Sequence, residues 1–448
     1  MLKLNLQMFA GAGDVLTGTT TYVNSSTGAL DAFDSVNTMT PTMKTYYDTQ
    51  MLVNARSKHV FAQLGKPEAL PAGEGMTVEW RKWNTLADAP VLVEGVVPAG
   101  QKFGQSLLNV TIVEHGTYVA LTRQIQLHAT DPAVQGATEE IGAALGRTYE
   151  KLIRSALLEG TNVLYADALN TASSNAYVST PSARHELSNA AATYCGLTVD
   201  MIAQAVNELE AADAPTYDGM NFVAVVHPDL AYDLRKTEGW IEMQQYAQTK
   251  NPFTNELGEV NGVRFLKSTL APVIRGADLT DAARTLTVAS YSTSGGTGAQ
   301  NEITLVEDLS SAQAAALAGR EVIISGEHMT IISATAASPG KFIVSDADET
   351  AWGANPPASP DVVYPGEGGA LGISIYPVLF FAQDAFAVID PEGAGMQTII
   401  KTAAQIGGPL EQFGTVGGKF SGAAKILYPE RLVSVECVSA YSGSRAQN

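Results

Sequence analysis

The sequence predicts an α+β fold, in which a long helix and an extended two-stranded β arm precede a region of alternating helices and strands. Three observations support this class. Apolar residues recur at helical spacing between Ala133 and Gly160. Two runs rich in β-branched and aromatic residues lie between Met76 and Gln126. From Leu197 onward, segments of helical and strand-like pattern alternate along the chain.

Composition and charge limit what the protein can do. Hydrophobic residues make up 45% of the 448 residues, which is enough for a sizeable core. Only 16% of residues are charged, so much of the surface is uncharged. Either partners cover most of that surface, or the protein is extracellular and has an uncharged surface. The formal net charge of −19 argues against nucleic-acid binding, because that binding depends on Lys and Arg neutralising phosphates. The same charge allows the protein to lie near packed nucleic acid without adhering to it.

The N-terminal residues and the cysteines bear on the compartment. Residues 1–40 are small and polar without a period, and we expect an extended arm that becomes ordered on contact with something else. A weak secretory signal in MLKLNLQMFAGAGD is the alternative. Cys195 and Cys437 fit neither a metal-binding spacing nor a disulfide framework, which favours a reducing compartment. No apolar run approaches the roughly 18 residues of a transmembrane helix.

Two amphipathic helices are predicted in the first third of the chain. The first spans Thr42 to Leu64, after the start signal Thr40-Pro41. The second and stronger helix spans Ala133 to Gly160. Its polar face is expected to include Glu139, Glu140, Glu150 and Lys151. Glu150 would then pair with Arg154 one turn further on.

An extended β loop is predicted between these helices, over residues 76–126. Its first strand is Met76–Trp83 and its return strand is Ser106–Gln126, joined by a tip that is too long for a tight turn. An isolated two-stranded hairpin is only marginally stable in water. The tip carries an apolar run that must be buried, so we expect a neighbouring copy to cover it. This pattern favours an assembly protein over an enzyme.

The candidate inter-subunit contact is the tip of this loop together with the two tryptophans of its first strand. The tryptophans fall on opposite faces of the strand, and one is expected to face its own subunit and the other a neighbour. The predicted contact residues are Trp80, Trp83, Val91, Leu92, Glu94, Val96, Val97 and Pro98.

The rest of the chain alternates between helix and strand. Residues 161–196 carry little pattern and are expected to be loop. We then predict a helix Thr198–Ala212, a buried strand Asn221–His227, a helix from Asp229 and a strand Gly262–Ser268. Further strands are predicted in the runs ISIYPVLFF, DAFAVIDP, MQTIIKTA and ERLVSVECVSA.

An acidic insertion interrupts this region at residues 296–369. It holds ten acidic residues against two basic ones, a net charge of −8. Turn-rich linkers flank three short strand candidates, which are REVIIS, HMTIISA and KFIVS. We interpret the segment as a small β-rich lobe, with one long disordered loop as the alternative.

Few residues suggest chemistry. Gly418-Lys419 could end a phosphate loop, but Phe413 and Phe420 stand where a glycine and a hydroxyl residue are needed, so a glycine-rich turn is favoured. The acidic group Asp346, Asp348 and Glu349 is interpreted as a solvated turn in preference to a calcium loop. No catalytic, cofactor-binding or metal-binding residue is therefore predicted.

The histidines support the same conclusion. All six are scattered, with no two at metal-ligand spacing; they are His59, His115, His128, His185, His227 and His328. His227 follows a buried strand and could be catalytic there. We favour a structural role, with Asp229 capping the next helix and His227 packed beneath it.

Specific segments resemble a known family. These are the start MLKLNLQMFA, the stretch VLVEGVVPAGQKF (Val91–Phe103), the strand end TRQIQ and the helix GRTYEKLIRSALLEGT (Gly146–Thr161). They resemble the major capsid proteins of tailed bacteriophages, in the N-four-type coat family with the Hong Kong-type capsid fold. The resemblance covers about residues 20–275 and 370–440, and residues 296–369 depart from it as a lineage-specific insertion.

The resemblance implies a division of the chain. The parts are an N-terminal arm (1–40), an N-terminal helix and linker (41–75), an extended β loop (76–126), a peripheral domain with a spine helix (127–196), an axial domain in two parts (197–295 and 370–448, the latter with the C-terminal strand) and the inserted acidic lobe (296–369).

The resemblance also implies a function. The protein would self-assemble, as hexamers and pentamers, into an icosahedral shell that encloses double-stranded DNA without sequence-specific binding, with no catalysis, cofactor or membrane contact. Further partners would be a portal protein and scaffolding or decoration proteins, and assembly would occur in the host cytoplasm. Three alternatives remain open: an encapsulin-like nanocompartment shell, a secreted surface-layer protein or adhesin, and a hydrolase with paired carboxylates.

Overall fold

The computed structural model describes residues 60–70, 75–83, 86, 88–89, 91, 100–122, 133–217, 219–237, 256–281, 283–294, 300–345, 356–391, 396–401 and 412–448. Several predictions therefore lie outside the described residues. These are the N-terminal arm, most of the helix Thr42–Leu64, the acidic turn at 346–349, His59, His128 and most of the arm tip. Within the described end of that first helix, Phe61–Gln63 form one turn of 3-10 helix.

The described residues confirm the α+β class. Their α-helices are α1 (Ala133–Leu157), α2 (Val199–Ala211), α3 (Pro228–Leu234) and α4 (Ser311–Leu317). Their strands are β1 (Lys66–Leu70), β2 (Thr77–Trp83), β3 (Gln105–Thr111), β4 (Val113–Thr122), β5 (Val163–Tyr165), β6 (Ala168–Asn170), β7 (Ala176–Ser179), β8 (Phe222–Val226), β9 (Glu256–Val260), β10 (Val263–Lys267), β11 (Leu286–Ser294), β12 (Gln300–Leu305), β13 (Glu321–Ile324), β14 (Glu327–Thr335), β15 (Lys341–Ser345), β16 (Val362–Pro365), β17 (Ile375–Phe381), β18 (Phe386–Pro391), β19 (Gln397–Lys401), β20 (Phe413–Ile426) and β21 (Leu432–Val438).

The chain divides into two compact units. The first comprises Met1–Glu159 and Phe386–Leu427, and the second comprises Gly160–Ala385 and Tyr428–Asn448. The sequence-based division differs, since it assigned all of residues 370–448 to one domain. The strands β18 to β20 instead share a unit with the long helix α1.

The first unit is a five-stranded sheet packed against α1. The sheet runs β1-β18-β20-β19, and β4 pairs with β20. The helix forms as predicted because its apolar residues share one face, and Ile141 and Leu145 meet Leu121, Val416 and Phe420 of the sheet in a buried cluster.

The β arm differs from its prediction. Strand β2 pairs with β3 from Thr77 opposite Thr111 to Trp83 opposite Gln105. The predicted return strand is wrong as a single strand, because it divides at Ile112 and continues as β4, which pairs with β20. Ile112 is buried against Ile389 and Ala423, so the chain leaves the arm and enters the sheet at this residue.

The long strand β20 was missed by sequence reasoning. Gly418-Lys419, predicted to lie in a glycine-rich turn, lie in the middle of this 14-residue strand. The glycines serve close strand packing instead of a turn: a Cβ on Gly417 would lie 3.0 Å from the Cβ of Tyr118 on β4. The prediction of a turn was wrong because glycine is depleted in ordinary strands.

The second unit contains a six-stranded sheet in the order β5-β21-β17-β8-β10-β9. The predicted helices α2 and α3 and strands β8, β10, β17 and β21 are confirmed. Strands β17 and β21 are buried along their whole length, which explains their continuous apolar pattern. The loop predicted at 161–196 is wrong in part, since it contains β5, β6 and β7. These strands are three or four residues long, too short to show a period.

The acidic insertion forms a closed barrel of six strands, β11-β12-β15-β14-β13-β16. The three predicted strands are confirmed as β13, β14 and β15. The barrel begins with β11 at Leu286, before the predicted segment, and it has its own core, which includes Val288, Ile303, Ile331 and Phe342. A single disordered loop is excluded for the described residues of this segment.

Candidate assembly surface

Exposed large hydrophobic side chains concentrate on the arm and on β4. Among the described residues, eight of 17 such side chains lie between positions 76 and 119. They are Met76, Leu86, Val91, Phe103, Leu107, Val113, Tyr118 and Val119. We call these eight residues the arm surface. A concentration of exposed apolar side chains marks an interaction site, because water contact with them is unfavourable.

The base of the arm is anchored to its own unit. Val78, Trp80 and Val110 pack against the buried Ile112 and Ile389. Trp80 therefore packs on its own unit, and its predicted contact with a neighbour stays a prediction. Its Nε1 is buried and has no hydrogen-bond partner among the described residues. The structure does not describe the side chain of Trp83.

The predicted tip residues are only partly described. Val91 is 93% exposed. Leu92, Glu94, Val96, Val97 and Pro98 lie outside the described residues, and their contact role stays a prediction. Sequence reasoning missed Phe103, Leu107 and the apolar residues of β4. The signal for Leu107 was its adjacency to Leu108, which puts an apolar side chain on each face of β3.

Strand β4 is held to the long helix through aromatic stacking. His115 stacks on Phe420, which is directly opposite it on β20, with ring centroids 5.4 Å apart. Phe420 in turn meets Tyr149 of α1 edge to face, at 5.5 Å. The ion pair between Lys419 and Glu114 (2.8 Å) is exposed and contributes little. The packing of these aromatic rings, and not the ion pair, therefore holds β4 and its exposed residues in position.

The helix α1 carries a buried carboxylate. Glu150 accepts hydrogen bonds from the backbone N–H groups of Phe61 (2.9 Å) and Ala62 (3.2 Å). Burial raises the pKa of Glu150, although these hydrogen bonds oppose the rise. Its predicted place on the polar face of the helix is wrong, because the carboxylate is needed to bond the first N–H groups of the 3-10 turn.

A second polar cluster joins the C-terminal residues to the six-stranded sheet. Arg445 donates two hydrogen bonds of 2.8 Å to Asp229, and the hydroxyl of Tyr376 lies 3.0 Å from the same carboxylate. Burial favours a higher pKa for Asp229, but the bonds from Arg445 and Tyr376 and the nearby His227 hold that pKa below its ordinary value. Burial also raises the pKa of Tyr376 to about 12.

The cap of helix α3 differs from its prediction. The N-cap is His227, whose Nδ1 accepts from the N–H of Asp229. Asp229 was predicted to be the cap, and that is wrong because its carboxylate is occupied by Arg445 and Tyr376. Burial lowers the pKa of His227, which suits its role as a neutral acceptor.

A third polar contact is the ion pair between Arg184 and Glu436. Glu436 lies on the buried strand β21 with a side chain 3% exposed. Arg184 donates to both of its oxygens, at 2.7 Å and 2.5 Å. The pair fixes the 3-10 turn Arg184–Glu186 to the sheet.

Three further features of the described residues concern metal ions, cysteines and membranes. Within these ranges, no group of three or more His, Cys, Asp or Glu side chains could hold a metal ion. Both cysteines are buried and free. No helix in the described part of the chain is long and apolar enough to cross a membrane.

The chain is similar to known phage capsid proteins. Residues 107–288 match the family model described as phage capsid protein. The capsid of cyanophage P-SCSP1u is 10% identical with a TM-score of 0.48, over 85% of this chain and 88% of that one. The capsid of Ralstonia phage GP4 gives 12% and 0.46, over 86% and 89%. The capsid of cyanophage Pam1 gives 12% and 0.46, over 94% and 99%. No curated protein matches the sequence significantly.

These structural similarities are weak, so the assignment depends on the family match. The matched residues include β4, the helix α1 and the strands up to β10. They include two of the four segments that carry the sequence resemblance, TRQIQ and Gly146–Thr161, but not MLKLNLQMFA or Val91–Phe103. They do not favour the encapsulin-like or adhesin alternatives. Residues 107–288 thus match the phage capsid protein family, in agreement with the resemblance seen in the sequence.

Proposed function

We propose that copies of this protein assemble into the icosahedral shell of a tailed phage through the arm surface. The observation that carries the proposal is the concentration of exposed apolar side chains on the arm, whose base is packed firmly on its own unit, and on the adjoining strand β4. A fixed base presents the exposed side chains in a constant direction, so little conformational entropy is lost when a neighbour covers them.

The contact energy for each copy is modest. Fully burying a Val, Leu or Phe side chain contributes about 1.5–3 kcal/mol. Leu107 is 56% exposed, so covering it adds roughly 1 kcal/mol. Weak contacts of this size become strong collectively when every subunit of a closed shell repeats them.

The domain roles follow from the resemblance. Residues 76–111 are the extended loop, α1 is the spine of the peripheral domain, and the six-stranded sheet belongs to the axial domain around the five-fold and six-fold positions. The barrel projects from the axial domain. The predicted residues Leu92, Glu94, Val96, Val97 and Pro98 complete the contact at the tip.

The wider assembly is proposed on the same basis. The shell encloses double-stranded DNA without sequence-specific contacts, which suits the net charge of −19. Hexamers and pentamers form in the host cytoplasm, and a portal protein with scaffolding or decoration proteins completes the particle.

The test is electron microscopy and mass photometry of the chain expressed alone and as two variants. Leu107→Asp puts a charge on the arm surface, and we expect it to abolish shells, tubes and rings while the subunit stays folded. Val306→Asp is the matched control, since Val306 is 57% exposed but lies outside the arm. Normal particles from Leu107→Asp, or equal loss of particles in both variants, would contradict the assigned contact.

A further inference from the structure

Among the contacts that join the barrel to the rest of its unit, two kinds bear on its response to pH. The first kind consists of hydrogen bonds donated by arginine side chains, whose charge does not change near neutral pH. Arg320 donates to the carbonyl oxygens of Ala277 (3.0 Å) and Asp278 (2.6 Å), and Arg284 donates to that of Gly276 (2.6 Å). Guanidinium groups stay protonated in proteins, so these bonds do not respond to acid.

The second kind of contact is a pair of stacked imidazole rings. His185 lies on the 3-10 turn Arg184–Glu186, and His328 lies on β14 of the barrel. Their ring centroids are 4.4 Å apart and their planes are inclined by 27°. The turn is fixed to the six-stranded sheet by the ion pair of Arg184 with Glu436. The two rings therefore join the barrel to the sheet.

The charged groups around His185 influence its pKa. Glu186 lies on the turn, and Glu321 and Glu327 lie on β13 and β14; Glu321 Oε2 is 3.5 Å from His328 Nε2. Burial, followed by the nearby His328, lowers the pKa of His185 below 6.5, although the three glutamates oppose this. The ring of His185 is therefore uncharged at neutral pH.

The sign of the pH dependence follows from that direction. The pKa of His185 is lower when the two rings are in contact than when they are apart. The uncharged ring therefore stabilises the contact fully at pH values above its ordinary pKa. That stabilisation is lost as the pH falls through the lowered value.

We propose that His185 and His328 form a pH-sensitive latch that holds the barrel on the six-stranded sheet near neutral pH and releases it in acid. Release loosens the barrel without unfolding it, because the barrel has its own apolar core and the arginine contacts remain. The position of the barrel on the subunit then depends on pH.

The experiment is hydrogen–deuterium exchange of the whole chain between pH 7.5 and pH 5, corrected for the intrinsic pH dependence of exchange. We expect protection at residues 184–187 and 327–331 to fall with acid, by up to about tenfold per pH unit for one linked proton. His185→Phe keeps an aromatic ring and removes the titration, so its protection should not vary with pH.

The control is His115→Phe, which changes the other stacked histidine, on β4. It should leave the pH dependence at residues 184–187 and 327–331 as in the natural protein. Equal pH dependence in the natural protein and in His185→Phe would overturn the proposal. Flat protection in the natural protein down to pH 5 would overturn it as well. A fall in protection throughout β11 to β16 would indicate acid unfolding of the barrel and would also count against a latch.

Discussion

Replacing Arg184 by Ala should destabilise the second unit through the carboxylate that it leaves behind. Glu436 sits on β21, which is buried along its whole length, and Arg184 supplies two hydrogen bonds to it. Removing one partner of a buried ion pair costs about 3–5 kcal/mol, because the other charge stays buried without compensation. The Arg184 side chain is 41% exposed, so water can reach the vacated site. We therefore expect a smaller loss, about 2–3 kcal/mol.

Urea unfolding followed by circular dichroism measures this loss directly, and thermal unfolding should show a decrease in Tm of about 5–10 °C. The double variant Arg184→Met with Glu436→Gln removes both charges. It should recover at least half of the lost free energy, because no charge then remains buried.

Two outcomes would refute this reasoning. One is an Arg184→Ala protein within about 0.5 kcal/mol of the natural one, which is the range of ordinary surface substitutions. The other is a double variant as unstable as the single one, which would mean that lost packing, not the unpaired carboxylate, causes the effect.

Two further substitutions test the polar contacts of each unit. Glu150→Gln should lose one hydrogen bond to the 3-10 turn, about 1 kcal/mol. Because the pKa of Glu150 is raised above 4.5, its contribution is fully present below pH 4.5 and is lost as the pH rises through the raised value, so thermal melts of the variant should lack that decline. Tyr376→Phe should cost about 1–2 kcal/mol in urea unfolding, since its hydroxyl lies within hydrogen-bonding distance of Asp229 and Ser442. An unchanged midpoint for Tyr376→Phe would mean that Arg445 alone satisfies Asp229.

The elements that were predicted correctly from the sequence are those whose pattern lies within the element itself. Helix α1 has one apolar face, and β8, β17 and β21 are continuous apolar runs because both faces of their sheet are covered. Strand β20 was missed because glycines at its centre serve contact with β4, whose residues are about 300 positions away. The pattern contained no information about that partner.

The polar contacts were missed for the same reason. Arg184 and Glu436 are 252 positions apart, and Asp229 and Arg445 are 216 apart, so no spacing rule connects them. Glu150 was assigned to solvent because a glutamate in a helix is normally exposed. Its partners are backbone N–H groups 88 and 89 positions earlier, which carry no side-chain signal. Of the eight residues of the arm surface, only Val91 belonged to the predicted contact, and it was predicted because it is part of an apolar run in a tip without a core of its own.

The division of the arm's return strand at Ile112 has a mechanical consequence. Strand β3 leads directly into β4, which is bonded to β20 over ten residues, from Val113 to Thr122. A tensile load that reaches β4 along its own axis pulls all of these hydrogen bonds in shear, so they must break together instead of one after another. Strand β20 is also bonded to β18 and β19, which spreads the load across the sheet. If a neighbour pulled on the arm, as in a shell under internal pressure, the force would act along the strands. The sheet resists force best in that direction.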